Sequence, residues 1–129
     1  MKKMGLFVLV PLFLITGLVY AEDKGMVAVA AEGNTPAAEV SDMAARSPYF
    51  LIFDGAGALV GVIDNPYKEA SRRAAASLVP FLAQKGVTFV VAGKFGQNMI
   101  RAMKERNIEH MAFQGSAEAA AGKVLGARK

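Results

Sequence analysis

A chain of 129 residues carrying 15 basic and 11 acidic side chains, net +4, has room for one folded core and not for two. The charge is too small and too scattered for a phosphate-tracking surface, which gathers lysine and arginine on one face, so nucleic acid is excluded as a partner. With 0 cysteines the chain has no disulfide, no thiolate ligand and no thiol nucleophile.

The first segment follows a different logic from the rest. Lys2 and Lys3 form a short basic region, Gly5 to Val19 is an uncharged apolar run interrupted by Pro11, and Val19-Tyr20-Ala21 precedes Glu22 as a cleavage site. Residues 1–21 therefore read as an export signal, with residues 22–129 as a single domain in the periplasm or otherwise outside the cell interior. Left uncleaved, the same run would act as an inner-membrane anchor, and the two leading lysines would still keep the domain outside. Contact with a membrane is expected only in that case.

Met26 to Ala31 reads as a first strand, closed by the turn cluster Glu32-Gly33-Asn34-Thr35-Pro36. Tyr49 to Phe53 and Leu59 to Ile63 flank Gly55-Ala56-Gly57 as an antiparallel hairpin, which Asn65-Pro66 ends. Helical spacing runs from Lys68 to Lys85, with Ala70, Ala74, Leu78, Phe81 and Leu82 on the apolar side and Pro80 placed to kink or divide the last turns. Gly86 suits a helix C-cap, and the continuous run Val87 to Ala92 suits a strand buried on both faces. A second helix begins near Gln97, with Met99, Ile100 and Met103 as its apolar stripe. Ile108 to Phe113 is the last strand, and Ser116 caps a final helix running to about Leu125 with Glu118 in its first turn. The alternation of strands and helices gives an α/β domain built on a mixed five-stranded sheet covered by helices.

The order from Val40 to Met99, an exposed loop, two strands, a helix, a strand and a glycine-rich turn into a helix, resembles the dinitrogenase iron-molybdenum cofactor family. The resemblance covers roughly Met26 to Val124. It implies a ribonuclease H-like, three-layer fold with strand order 3-2-1-4-5 and the second strand antiparallel to the others. It also implies binding rather than chemistry: an iron-molybdenum, iron-sulfur or molybdenum-copper type cluster as cargo, and a protein partner in its delivery. In the family, the stretch matching Ser41-Asp42-Met43-Ala44-Ala45-Arg46-Ser47-Pro48 commonly reads Ser, an acidic residue, His, Phe, Gly, Arg, Ala, Pro. Ser41, Arg46 and Pro48 match, Ala44 and Ala45 replace the Phe-Gly pair, and Met43 stands where the suspected histidine ligand would be.

Ligands of α/β sheets sit beyond the carboxyl ends of parallel strands. Three segments should meet there: the loop from Glu32 to Ser47, the turn from Gly93 to Asn98, and Gln114-Gly115-Ser116. The candidate cofactor-binding residues are Ser41, Asp42, Met43, Arg46, Gly93, Gly96, Gln97 and Asn98. Gly93 and Gly96 either open backbone amides to an anion or merely make a tight connection. Met43 is either a soft thioether ligand suited to Cu(I) or an apolar residue packed on the core, the plainer expectation. His110, the one histidine, is the other metal-ligand candidate, although a single imidazole does not make a zinc site and packing or half-exposure is its plainer role.

Enzyme chemistry finds no support. Of the strand-end carboxylates Glu32, Asp42, Asp54 and Asp64, the last two fall at opposite ends of a hairpin and cannot share a metal. No serine, histidine and acid arrangement is recognisable. Two readings remain: a carrier of a metal cluster or small anion, or a protein–protein interaction module that kept the fold and lost the ligand. A pocket with convergent amides favours the first; one filled by Met43, Phe95 and Tyr49 favours the second.

Overall fold

The computed structural model describes residues 25–70 and 74–128, so the export segment expected over residues 1–21 lies outside the described residues. Five strands form one open sheet: β1 (Met26–Ala31), β2 (Tyr49–Phe53), β3 (Leu59–Asp64), β4 (Val87–Ala92) and β5 (Glu109–Ala112), in the order β3-β2-β1-β4-β5. β2 runs antiparallel to β1 and β3, whereas β4 runs parallel to β1 and β5. This is the order and sense that the family resemblance implies.

Period-two alternation in β1 sends Ala28 and Ala30 to one face and Val27, Val29 and Ala31 to the other, and all five are fully buried. The first face is covered by α1 (Ala74–Gln84) and α2 (Gln97–Glu105), through Leu78, Val79 and Leu82 on the former and Met99 and Met103 on the latter. The second face is covered by α3 (Ala117–Arg128), through Ala117, Ala120, Ala121 and Val124. Small alanines on α3 let it approach the sheet closely. The Ser116 hydroxyl accepts the Ala119 N–H at 3.2 Å, the N-cap that its position suggests.

Several expectations need correction. The helix expected from Lys68 is preceded by turns, because the Asn65 side-chain and main-chain oxygens take the N–H groups of Tyr67 and Lys68, and α1 is described only from Ala74. Its buried stripe is Ala74, Ala75, Leu78, Val79 and Leu82, while Phe81 is half-buried, edge-on to Tyr67 and beneath the Lys85 ammonium. Pro80 lies inside α1 without dividing it; Ala76, four residues earlier, is exposed, so the carbonyl that loses its donor can be hydrated. β4 is not buried along its whole length, since Thr88 is exposed and Phe89 half-buried. Burial peaks in β1, the middle strand, and β4 is flanked by the short edge strand β5, most of which is exposed. β5 is shorter than expected at both ends. Asn107 takes a left-handed conformation at φ 59°, and the Ile108 N–H turns back to the Met103 carbonyl, so Ile108 closes α2 instead of opening the strand.

Candidate functional site

The long loop after β1 is stitched to the sheet end by backbone bonds. Ser41 donates to the Ala30 carbonyl at 2.8 Å, Gly93 donates to the Ser41 carbonyl at 2.8 Å, and Ala44 donates to the Lys94 carbonyl at 3.1 Å. On its other side Val40 donates to the Gly115 carbonyl, and Ala117 to that of Ala38. The three segments expected to meet therefore do meet.

The stitching divides the expected site residues into supports and wall. Ser41 is buried, and its hydroxyl donates to the Glu32 carboxylate at 2.7 Å, closing the base of the loop. Ser41→Ala should cost about 1.5 kcal/mol, the lower end for a bond to a charged acceptor because Glu32 is itself exposed, read from urea unfolding. Asp42 lies against Gly93, where an added Cβ would come within 2.9 Å of the Asp42 carbonyl oxygen. Gly93 is thus a close-approach glycine whose amide is already committed, which settles its alternative in favour of packing.

The next residues turn outward. Ala44 to Arg46 form a 3-10 turn pinned by the buried Ala44 and by Ser47, whose hydroxyl donates to the Ala44 carbonyl at 3.1 Å. Asn65, 2% exposed, ties this turn to the far end of the hairpin: its Nδ2 donates to the Ala45 and Ser47 carbonyls at 3.0 and 2.9 Å. Its Oδ1 accepts the Tyr67 N–H at 2.9 Å.

What this framework holds open is a cleft of about 220 Å³. Met43, Ala45 and Arg46 form one wall, Ala74 and Ala75 of α1 another, and Gly96 with the first turn of α2, Gln97 to Met99, the third. Gly96 is the N-cap of α2, makes no side-chain cap, and would meet nothing within 4 Å if it carried a Cβ. The start of α2, the positive end of its dipole, therefore lines the cleft with first-turn residues whose amides no N-cap side chain takes up. Arg101 donates to the Asn98 Oδ1 at 3.0 Å, which fixes that amide with its oxygen toward the guanidinium and adds a second positive charge beside the helix start.

Of the expected residues, Met43, Arg46, Gly96, Gln97 and Asn98 line the cleft, whereas Ser41, Asp42 and Gly93 stand behind it. Met43 does not pack on the core: it is 37% exposed, because its extended backbone is bridged to Lys94 and the buried position falls to the next residue, Ala44. Phe95 does not fill the cleft either, since its ring stacks edge-on against His110 at 4.8 Å between centroids. His110 itself is exposed and lines a separate groove with Lys104 and Glu109, so it shares no site with Met43. Two contributors escape sequence reasoning. Asn65 reads as a turn residue, and its 18- and 20-residue reach to the loop leaves no local signal. Arg101 reads as a solvent-facing helix residue, and only its spacing of three from Asn98 hints at the pair.

Among the described residues no group of three or more histidine, cysteine, aspartate or glutamate side chains could hold a metal ion. The cleft is lined by main-chain amides, a guanidinium and the exposed thioether of Met43, with Met99 buried beneath, a set that suits an anion rather than a bare cation.

Residues 25–126 match the family model described as dinitrogenase iron-molybdenum cofactor. The apo form of the orange protein from Desulfovibrio gigas has a similar fold, with TM-score 0.73 and 22% identity over 80% of this chain and 88% of that one. A NifB-like protein from Thermotoga assigned to the DUF35 family is similar at TM-score 0.69 and 28% identity, over 81% of this chain and 90% of that one. A dinitrogenase-like protein from Methanocaldococcus jannaschii is similar at TM-score 0.54 and 10% identity, over 80% and 89% of the two chains. No curated protein matches the chain.

Proposed function

Because the chain belongs to the dinitrogenase iron-molybdenum cofactor family, we propose that it is an exported, non-enzymatic carrier that holds an anionic metal cluster, or another small anionic metal species, in the cleft between the 3-10 turn and α2. The observation that carries this reading is the convergence of Arg46 and the uncapped amino end of α2 on one cleft. An anionic cluster whose metals are already saturated by their own bridging atoms needs hydrogen-bond donors and charge, not thiolates. Gln97 and Asn98 supply amides, Arg46 supplies charge, and Ala45, Ala74 and Ala75 supply an apolar flank that strengthens those bonds by excluding water. Export rests on Lys2, Lys3 and the apolar run from Gly5 to Val19, and places loading or delivery outside the inner membrane, with a protein partner to take the cargo.

The test is uptake by the purified full-length chain of tetrathiomolybdate, a coloured anion, together with elemental analysis and an absorption spectrum of protein isolated without chelators. A stoichiometric metal with a charge-transfer band supports the carrier. Protein that is metal-free as isolated and takes up neither the probe nor supplied metals overturns it. Arg46→Ala should weaken probe binding by about 2 kcal/mol, the scale of one charge-assisted hydrogen bond, while leaving the fold intact because Arg46 is exposed.

One observation favours a second reading. The family histidine is replaced by Met43, and among the described residues no carboxylate or imidazole cluster compensates for it. If the cargo requires direct ligation, the chain is an interaction module that retains the fold alone.

A further inference from the structure

We infer that Met43 is an oxidation-sensitive residue that lowers the anion affinity of the cleft when a hydroperoxide converts its thioether to the sulfoxide. The inference rests on the reading of the cleft as an anion carrier and adds a means of releasing or refusing the cargo.

Accessibility singles out this side chain. Met99 and Met103 are 1% and 0% exposed and sit inside the core, and Met26 and Met111 are half-buried against it, whereas Met43 is 37% exposed on the wall of the cleft. Peroxide must reach a sulfur lone pair, so among the described methionines Met43 reacts first. The Met43 sulfur attacks one oxygen of hydrogen peroxide, the O–O bond breaks as the S–O bond forms, and the sulfur gives up two electrons. The second oxygen leaves as water with both peroxide protons.

The location converts that chemistry into a change in binding. A thioether is a weak hydrogen-bond acceptor; a sulfoxide oxygen is a strong one with partial negative charge. Met43 and Arg46 belong to one tight turn, in which the Arg46 N–H donates to the Met43 carbonyl at 3.2 Å, and both side chains line the cleft opposite the start of α2. A sulfoxide oxygen there competes with an anion for the guanidinium and for the first-turn amides, and it repels the anion itself. The fold is spared. Met43 is extended, at φ −116° and ψ 123°, and its backbone is held through the bridge to Lys94, so its oxidation disturbs no core contact, unlike that of Met99 or Met103. Methionine sulfoxide reductases reverse the change.

The experiment uses the full-length chain treated with hydrogen peroxide and then freed of it. Peptide mass mapping locates the added oxygen, equilibrium dialysis against tetrathiomolybdate reads affinity, and circular dichroism reads the fold. Oxygen is expected on Met43 before Met26, Met99, Met103 or Met111, with affinity weakened roughly thirtyfold, the size of one lost charge-assisted bond, with an unchanged spectrum and with recovery by reductase. Met43→Gln should weaken binding as oxidation does. Met43→Leu, whatever its own affinity, should show the same value before and after peroxide. Oxidation that reaches another of these methionines first, a Met43 sulfoxide that binds as the thioether does, or a loss of fold in step with binding overturns the proposal. Untreated protein that fails to bind the probe overturns the carrier reading and this one together, a result distinct from binding that peroxide leaves alone.

Discussion

Replacing Gly93 by valine should destabilise the domain by roughly 3 to 4 kcal/mol, at the upper end of what overpacking costs. Any Cβ at this position would stand 2.9 Å from the Asp42 carbonyl oxygen, 3.0 Å from its Cα and 3.2 Å from its Oδ1. Two of those atoms are main chain and cannot swing aside, so relief requires moving the loop. Moving the loop breaks the Gly93 to Ser41 and Ala44 to Lys94 hydrogen bonds, which hold the turn carrying Arg46 against β4. Backbone strain contributes nothing, since Gly93 is not among the positive-φ glycines. The expected reading is a fall in melting temperature on the order of 15 °C, with loss of anion binding in the fraction that folds. Gly96→Ala is the internal comparison: its Cβ meets nothing within 4 Å, and the substitution should cost less than about 1 kcal/mol. Equal melting temperatures for wild type and Gly93→Val would show that the loop is not seated on β4 as described.

Asn65→Ala should cost roughly 3 kcal/mol. The side chain is almost fully buried and makes three hydrogen bonds, two to the carbonyls of Ala45 and Ser47 and one from the Tyr67 N–H. Truncation leaves these main-chain groups in need of partners and opens a small void, and each unsatisfied buried group costs about 1 to 3 kcal/mol. Asn65→Asp is the more discriminating variant. It keeps the Tyr67 bond but turns a donor toward two carbonyl oxygens into a charged acceptor, so it should be at least as harmful at neutral pH and should partly recover as the carboxyl is protonated in acid. Urea unfolding of the three proteins at two pH values measures this. The predicted damage reaches the cleft as well, because Asn65 orders the carbonyls flanking Arg46.

The strands were readable from local pattern because a buried strand needs little more than a short uninterrupted apolar run between turn formers. Met26–Ala31, Tyr49–Phe53 and Val87–Ala92 appear where that pattern places them. The start of α1 was not readable. Helical spacing continues back to Lys68, but Asn65 captures the nearby N–H groups in turns, a local competition that periodicity does not register. Met43 misled for a related reason: an apolar side chain in a loop is expected to find the core, and only the tertiary bridge to Lys94 decides that Ala44 takes the inward place. Asp54 also acquires its meaning from geometry, as its carboxylate accepts the N–H groups of Ala56 and Ala58 and so belongs to the hairpin turn.

By itself the sequence determined the α/β class, the hairpin, the absence of thiolate ligands and the family likeness, each of which depends on composition or on residues close together in the chain. The tertiary structure decided which candidate residues share a site. Met43 and Arg46 lie about fifty residues before the start of α2, and whether they face one cleft with it depends on a loop seated by Gly93 and Asn65. Close approach and long-range hydrogen bonding place those two residues, and neither force leaves a periodic mark along the chain.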